Sequence, residues 1–379
     1  MSAAGAAGLV TCVQHNCHVA DARHAAEMTL CTYLLQMREY FRWEQGIALG
    51  APLAREAVGA WMAEREALWE RLAQEDYRPL PLPGAAGGLA DPFDVEAVNA
   101  ALAPWSLLYG AGLVARGRPV FFVADLHSHG RREELAVLQA GRERARTLLA
   151  PPAALGGGGS GPIVLRRESM ARWCWERAEA DAMHPRPGGA LQAMLAHYGL
   201  ESEFLAGLPR WLDDQCETAV WHEIGEHRLS RRWGERWSEL RAAAGQASAS
   251  TAQAARAEML VRALRDQLAD LGLTLPALLD RGEPGPLHAW FAGYEGLRQA
   301  SFPALLAGYQ AWRGGDGGAL LRAQQACGRR HFEALAVSLL EGAEADRAAA
   351  RDRLLRPDSA GVPPSMVCAW PEKAPERRT

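Results

Sequence analysis

The sequence predicts an α+β protein that is mostly helical, with a small antiparallel β-meander between an N-terminal helical segment and a C-terminal helical domain. Three observations predict it. Apolar residues recur at helical spacing on either side of the Glu44–Pro52 break. Short β-type runs separated by RGRP and SHGR fill the stretch from Trp105 to Glu168. From Ser169 onward the pattern is helical, interrupted by HPRPGG, GLPRW and RGEPGP.

In chain order, Asp21 is placed to cap a helix from Ala22 to Glu44, where Leu30, Leu34, Met37 and Phe41 form one stripe. A second helix is expected from Pro52 to Gln74, with Val58, Met62, Leu68 and Leu72 on its apolar face. RPLPLPGAAGGLADP reads as a loop, after which Asp91, with Pro92 at the first helical position, opens a short helix. SLLYGAGLVARGRPVFFVADLHSHGRREELAVLQAG reads as the meander and GPIVLRRE as its last strand. AAAGQASASTAQAA is low in complexity, and the Pro-rich stretch after Arg356 is expected to be disordered. The expected domains are residues 1–166 and 167–355, followed by the tail 356–379.

The 379 residues suffice for two domains, and 49% apolar with 23% charged residues is ordinary for a soluble protein. A net charge of −4 gives no footprint for nucleic acid and no general attraction to an acidic membrane. The only lysine is Lys373, which removes Schiff-base, phosphate-loop and kinase-type lysines from consideration. Seven cysteines without a CxxC pair read as reduced thiols. The opening MSAAGAAGLVTCVQHNC lacks the basic and apolar regions of a signal peptide. TLLAPPAALGGGGSGPIVL carries a proline pair and the Gly157–Gly159 cluster, so it reads as a connector and not a membrane span. The expectation is a cytoplasmic protein.

HEIGEH, His222–His227, is where the chemistry concentrates. On a helical wheel Glu223, Glu226 and His227 fall within the apolar face set by Leu212, Cys216, Ala219 and Val220, with His222 at its edge. A buried unpaired carboxylate costs several kcal/mol, so these groups need a cation, a shared proton or a metal. His222 and Glu226 keep the i, i+4 spacing of the two zinc ligands in HExxH, and Glu223 keeps the position of the general base. A carboxylate as the second ligand moves the preference from zinc towards iron or manganese. Glu223 with His227 is another i, i+4 pair. The competing reading is a buried Glu–Arg network in which the histidines fill hydrogen bonds.

HNCHVADARHAAE adds His15, His18, Asp21, His24 and Glu27. His24 and Glu27 lie three apart, on one side of a helix, as an inward metal-ligand pair in a bundle requires. Their alternative is an edge histidine and a Glu27 paired with an arginine such as Arg38. Cys17 beside His15 and His18 is a further nucleophile candidate. His127 and His129 in DLHSHG read as a turn between strands, because no βα alternation surrounds them.

HNCHVADARHA, YLLQMREYFRWE, LYGAGL…GRPVFFVADL and WHEIGEH, four blocks in order, resemble a family of bacterial hypothetical proteins catalogued as Sfum-type. The resemblance spans most of the chain and implies no activity. Its blocks match His24, His222, Glu223 and Glu226, and not His227.

The function expected is a metal-dependent enzyme, either a hydrolase or an iron/manganese oxidoreductase. Its divalent ion (Fe, Mn or Zn) is held by His222 and Glu226 with His24 and Glu27, and Glu223 serves as base to a metal-bound water in the hydrolytic version. Its substrate is a small molecule, with neither nucleic acid nor membrane as partner. The rival expectation is a non-enzymatic helical adaptor with a buried Glu–Arg–His network.

Overall fold

The alanine-rich opening folds as helix α1 (Ala3–His24), where Leu9, Val13, Cys17 and Ala20 are buried along one stripe. The computed structural model describes residues 3–83, 88–114, 117–155, 161–184, 188–246 and 251–355. The Gly157–Gly159 cluster and the Pro-rich tail lie outside them, as does part of AAAGQASASTAQAA. Two units make up the chain. Unit 1 is built from Met1–Gly156, Gly161–Met183 and Glu203–Leu208, and unit 2 from His184–Ser202 and from Pro209 onward.

In unit 1 the single helix expected over 22–44 is two helices. Asp21 lies inside α1, where its carboxylate accepts the Leu148 N–H at 3.0 and 2.9 Å and burial pushes its pKa up to about 8. A 3-10 turn over Ala25–Glu27 and an extended Met28 break the rod. Thr29 then caps α2 (Leu30–Glu44) by accepting the Thr32 N–H at 3.4 Å, a role that suits its short hydroxyl side chain. Met37, Tyr40 and Phe41 are buried with Trp61 and Trp69 of α3 (Arg55–Leu72), whereas Leu30 and Leu34 are exposed. The strands β1 (Leu80–Leu82) and β2 (Gly88–Ala90) form a small antiparallel hairpin. Asp91 accepts the Phe93 N–H in a tight turn, and it is Asp94 that caps α4 (Val95–Leu102) through Ala97 N–H at 3.0 Å.

The larger sheet has the order β3 (Leu107–Val114), β4 (Arg118–Arg132), β5 (Leu135–Arg146), β7 (Ile163–Arg166), β6 (Ala153–Leu155). β3, β4 and β5 form the antiparallel meander, β6 runs antiparallel to β7, and β7 pairs parallel to β5, so the sheet is mixed. SHGR lies inside β4, which runs on to pair Arg132 with Leu135. The reversal is Glu133–Glu134, with Glu133 at φ 51. His127 and His129 are therefore exposed strand residues. Tyr109, Phe121, Val123 and Ala145 pack beneath the α1 stripe. α5 (Arg167–Met183) follows β7 directly.

Unit 2 is helical among the described residues. It contains α6 (Ala190–Tyr198), most of α7 (Phe204–Trp233), α8 (Glu235–Gln246) and α9 (Thr251–Ala269). A π-helical turn over Asp270–Thr274 leads into α10 (Leu275–Arg281) and α11 (Pro284–Ala292). The series ends with α12 (Gly296–Ser301), α13 (Ala304–Arg313), α14 (Ala319–Leu340) and α15 (Glu344–Leu355). Its core joins Trp233 and Trp237 to Phe302, Tyr309 and Phe332. Among the described residues no helix is long and apolar enough to cross a membrane.

Candidate metal centre

The amphipathic α7 turns HEIGEH into unit 2, with Glu223 and His227 buried and His222 and Glu226 partly buried. Its approach to α9 is set by Gly225. A Cβ at that position would stand 3.0 Å from the Cα, Cβ and carbonyl oxygen of Ala269. Gly225→Ala is therefore expected to cost about 1–3 kcal/mol by overpacking. Faster hydrogen exchange along α7 and α9 is the readout, and unchanged exchange would mean that the two backbones part freely.

Across this contact α9 presents Asp266, and the π-helical turn begins at Asp270, one turn further on. Ligand-type atoms of His222, Glu226 and Asp266 all lie within 4.8 Å of one another, forming a possible metal-binding triad. His222 Nε2 is 3.8 Å from Glu226 Oε1. Atoms ligating one ion at about 2.0–2.2 Å stand somewhat closer together than that outer limit, so a small closure suffices.

Asp270 orients the imidazole. Its Oδ1 accepts from His222 Nδ1 at 2.8 Å, and its Oδ2 accepts from Arg298 Nη1 at 2.6 Å. That leaves His222 Nε2 on the side of Glu226, the arrangement by which a carboxylate fixes the tautomer of a ligand histidine. Burial disfavours a charged imidazole, but Asp270, with Glu223 and Glu226 nearby, raises the His222 pKa to about 10. Burial likewise opposes ionisation of Asp270, yet His222 and Arg298 hold it down at about 2. Arg265 binds Glu226 Oε2 at 3.0 Å and Ser230 Oγ at 2.9 Å, leaving Glu226 Oε1 towards His222.

Glu223 and Asp266 are different: neither makes a hydrogen bond or ion pair among the described residues. Burial, reinforced by Glu226, pushes Glu223 up to about 7. Burial, reinforced by Asp270 and Glu226, pushes Asp266 up to about 6. Two carboxyls are thus left poised between charge and neutrality beside a histidine that is already oriented.

His24 and Glu27 lie in unit 1 and are not among the triad. His24 Nδ1 meets Glu27 Oε1 at 3.0 Å, and Glu27 Oε2 accepts from Arg118 Nε at 3.0 Å. The Glu27–arginine pairing exists, with Arg118 as its partner in place of Arg38, which binds Glu39 and Glu179. His15 pairs with Glu75 at 3.3 Å, and His18 accepts from Arg65 at 2.8 Å with its pKa lowered by burial to about 3. The Cys17 thiol is buried against Phe121 O, and burial raises its pKa well above the ordinary value, so it is no activated nucleophile.

Asp266, Asp270 and Gly225 are the contributors that sequence reasoning missed. The two aspartates lie opposite the Leu264, Leu268 and Leu271 stripe, so periodicity alone gives no reason to place them in a core. Their i, i+4 spacing in RDQLAD was the available signal.

No curated protein and no solved structure matches the chain. Residues 8–166 match the N-terminal domain, and residues 171–357 the C-terminal domain, of a family of unknown function (DUF6866), and the chain belongs to that family.

Proposed function

We propose that the chain is a cytoplasmic metal-dependent enzyme acting on a small molecule at the His222/Glu226/Asp266 centre. One observation carries the reading. An imidazole fixed by Asp270 at Nδ1 turns its other nitrogen towards two carboxylates, and among the described residues neither Asp266 nor the adjacent Glu223 makes a hydrogen bond or a close ion pair. One imidazole and two carboxylates suit iron, manganese or zinc. A divalent ion held there supplies Lewis-acid polarisation of a substrate oxygen. Glu223, with its pKa near 7, can take and return a proton at neutral pH, which favours hydrolytic chemistry.

The adaptor reading draws support from Arg265 at Glu226 and Arg298 at Asp270, which are bonds a structural network would also make. It gives Glu223 and Asp266 no hydrogen bond or close ion pair among the described residues, only the field of His222 and of Arg265 or Arg298 nearby. Metal retention separates the two readings. Full-length protein exposed in turn to Zn(II), Mn(II) and anaerobic Fe(II), then dialysed, is expected to hold ~1 ion of at least one of them per chain. The double variant His222→Ala/Asp266→Asn is expected to hold none, and Glu223→Gln to retain the ion. Failure of the wild type to hold any of the three, or equal retention by the double variant, overturns the reading.

A further inference from the structure

Unit 1 contains a cavity of about 1070 Å³ that the metal centre does not use. Its wall includes the end of β5, which contributes Arg142, Arg144 and Arg146; a register shift against β4 interrupts the alternation there, and Arg144 pairs with Asp125 at 2.6 Å. The strand end is pinned by neutral groups. Gln14 Oε1 accepts the Arg146 N–H at 3.2 Å, and the Arg146 carbonyl accepts from Tyr40 Oη at 3.0 Å.

The Arg146 side chain is 2% exposed, yet its guanidinium makes no hydrogen bond among the described residues. Its nearest counter-charge is Glu143 Oε2, 3.8 Å from Nε. The guanidinium carbon lies 4.9 Å from the Trp43 ring centroid and 5.3 Å from that of Tyr40, which fixes its plane. Burial, then the neighbouring Arg172, lower its pKa to about 10, so it remains a cation at neutral pH. Two more donors in the cavity wall, Arg172 Nε and Trp105 Nε1, are buried without partners.

Each acidic residue of the wall has at least one partner, although Glu143 Oε2 is buried without a hydrogen bond among the described residues, 3.8 Å from Arg146 Nε. Glu39 binds Arg38 and Arg42, and Glu44 binds Arg65. Glu143 Oε1 accepts from Arg166 Nε at 2.7 Å and from Ser169 Oγ at 3.0 Å. Glu168 accepts the Glu143 N–H at 2.6 Å. Among the described residues of the wall, the buried donors without a hydrogen bond (Arg146 Nε and Nη2, Arg172 Nε, Trp105 Nε1) outnumber the one such acceptor, Glu143 Oε2, and Arg146 has only the 3.8 Å ion pair to Glu143. A buried guanidinium without hydrogen bonds is costly, and a planar oxyanion is its natural complement.

We propose that this cavity binds a small organic anion through a phosphate or carboxylate group seated on Arg146, with Arg172 and Trp105 as further donors and Arg142 and Arg144 as the remaining basic residues of the wall. The site is separate from the proposed metal centre and does not depend on it.

The test is a thermal-shift titration of the full chain in EDTA at constant ionic strength, with sodium phosphate and sodium succinate in separate arms against sodium chloride. A saturable rise in Tm with either anion is expected, and the responding arm identifies the headgroup. Arg146→Met keeps the packing on Trp43 while removing the charge. It is expected to melt higher than wild type without ligand and to bind at least ~10-fold more weakly. The Asp266→Asn variant is expected to keep the full anion response, because its substitution lies in unit 2. No saturable response of the wild type to either anion overturns the proposal whatever the variants do, and so does an undiminished response of Arg146→Met. Should Arg146→Met not fold, Arg172→Gln serves in its place, with a weakened response expected and an unchanged one counting against the site.

Discussion

Replacing Asp270 with alanine is expected to destabilise the α7–α9 pairing by about 3 kcal/mol, one of the two largest effects anticipated in unit 2. Asp270 is 2% exposed and serves two cations, His222 at 2.8 Å and Arg298 at 2.6 Å. Its removal strands both. Part of the loss is recovered by solvent, because about a quarter of each cationic side chain is exposed, and this places the effect at the lower end of the range for broken buried pairs. The Asp270 pKa is depressed to about 2, so its contribution is present above the ordinary carboxylate value and lost only as pH falls through about 2. The His222 contribution is complete below 6.5 and lost as pH rises through about 10. The comparison therefore belongs near pH 6, where both are present. Hydrogen exchange of α7 and α9 amides is the suitable measure, since a chain with two units need not unfold in a single step. The double variant Asp270→Ala/Arg298→Met should regain part of the loss by removing one stranded cation. An Asp270→Ala protein whose α7 and α9 amides exchange as in wild type would show that the aspartate braces nothing.

What the sequence made legible follows from periodicity. The α+β class and the helical run after β7 came from spacings of 3.6 and 2, which survive any tertiary arrangement. The inward orientation of Glu223 came from the same source, because Cys216 and Val220 define its face. Residues whose environment is made by a distant segment were not legible. Asp266 and Asp270 stand on the polar side of α9, and α7 covers that side only in the folded chain. The break at Met28 was hidden because the flanking residues are all compatible with one long helix, and an internal Thr29 resembles any other helical threonine until its φ and ψ are known. Asp21 looked like a cap because caps are what aspartates before helices most often are; its actual partner, Leu148 N–H, lies 127 residues away. The parallel pairing of β7 with β5 likewise depends on a crossover that no local pattern announces.

The other large effect is a reversal of pH dependence on metal binding. Without metal, unit 2 should lose stability as pH rises from about 4 to 7. Glu223 titrates near 7 in the fold against an ordinary 4.5, and Asp266 near 6 against 3.8, so the folded state holds protons that the unfolded state has released. Stability falls wherever the native state binds more protons, and for the buried Glu223 alone the shift corresponds to roughly 3 kcal/mol. His222 acts with the same sign at higher pH, since its contribution fades between 6.5 and about 10. A divalent ion inverts this balance. It competes with the proton on His222, so its affinity should rise ~10-fold per pH unit up to the His222 pKa, and more steeply below the Asp266 pKa, where a second proton must leave. The gap in Tm between Mn(II)- or Zn(II)-loaded protein and EDTA-treated protein should therefore widen from pH 6 to pH 8 while the EDTA curve itself declines. Glu223→Gln/Asp266→Asn should flatten the EDTA curve below about pH 6.5, where those two groups carry its slope, and leave the decline due to His222 above it. A Tm that gains nothing from any of the three metals at pH 8, together with the same declining curve, would assign the two poised carboxyls to a shared-proton network.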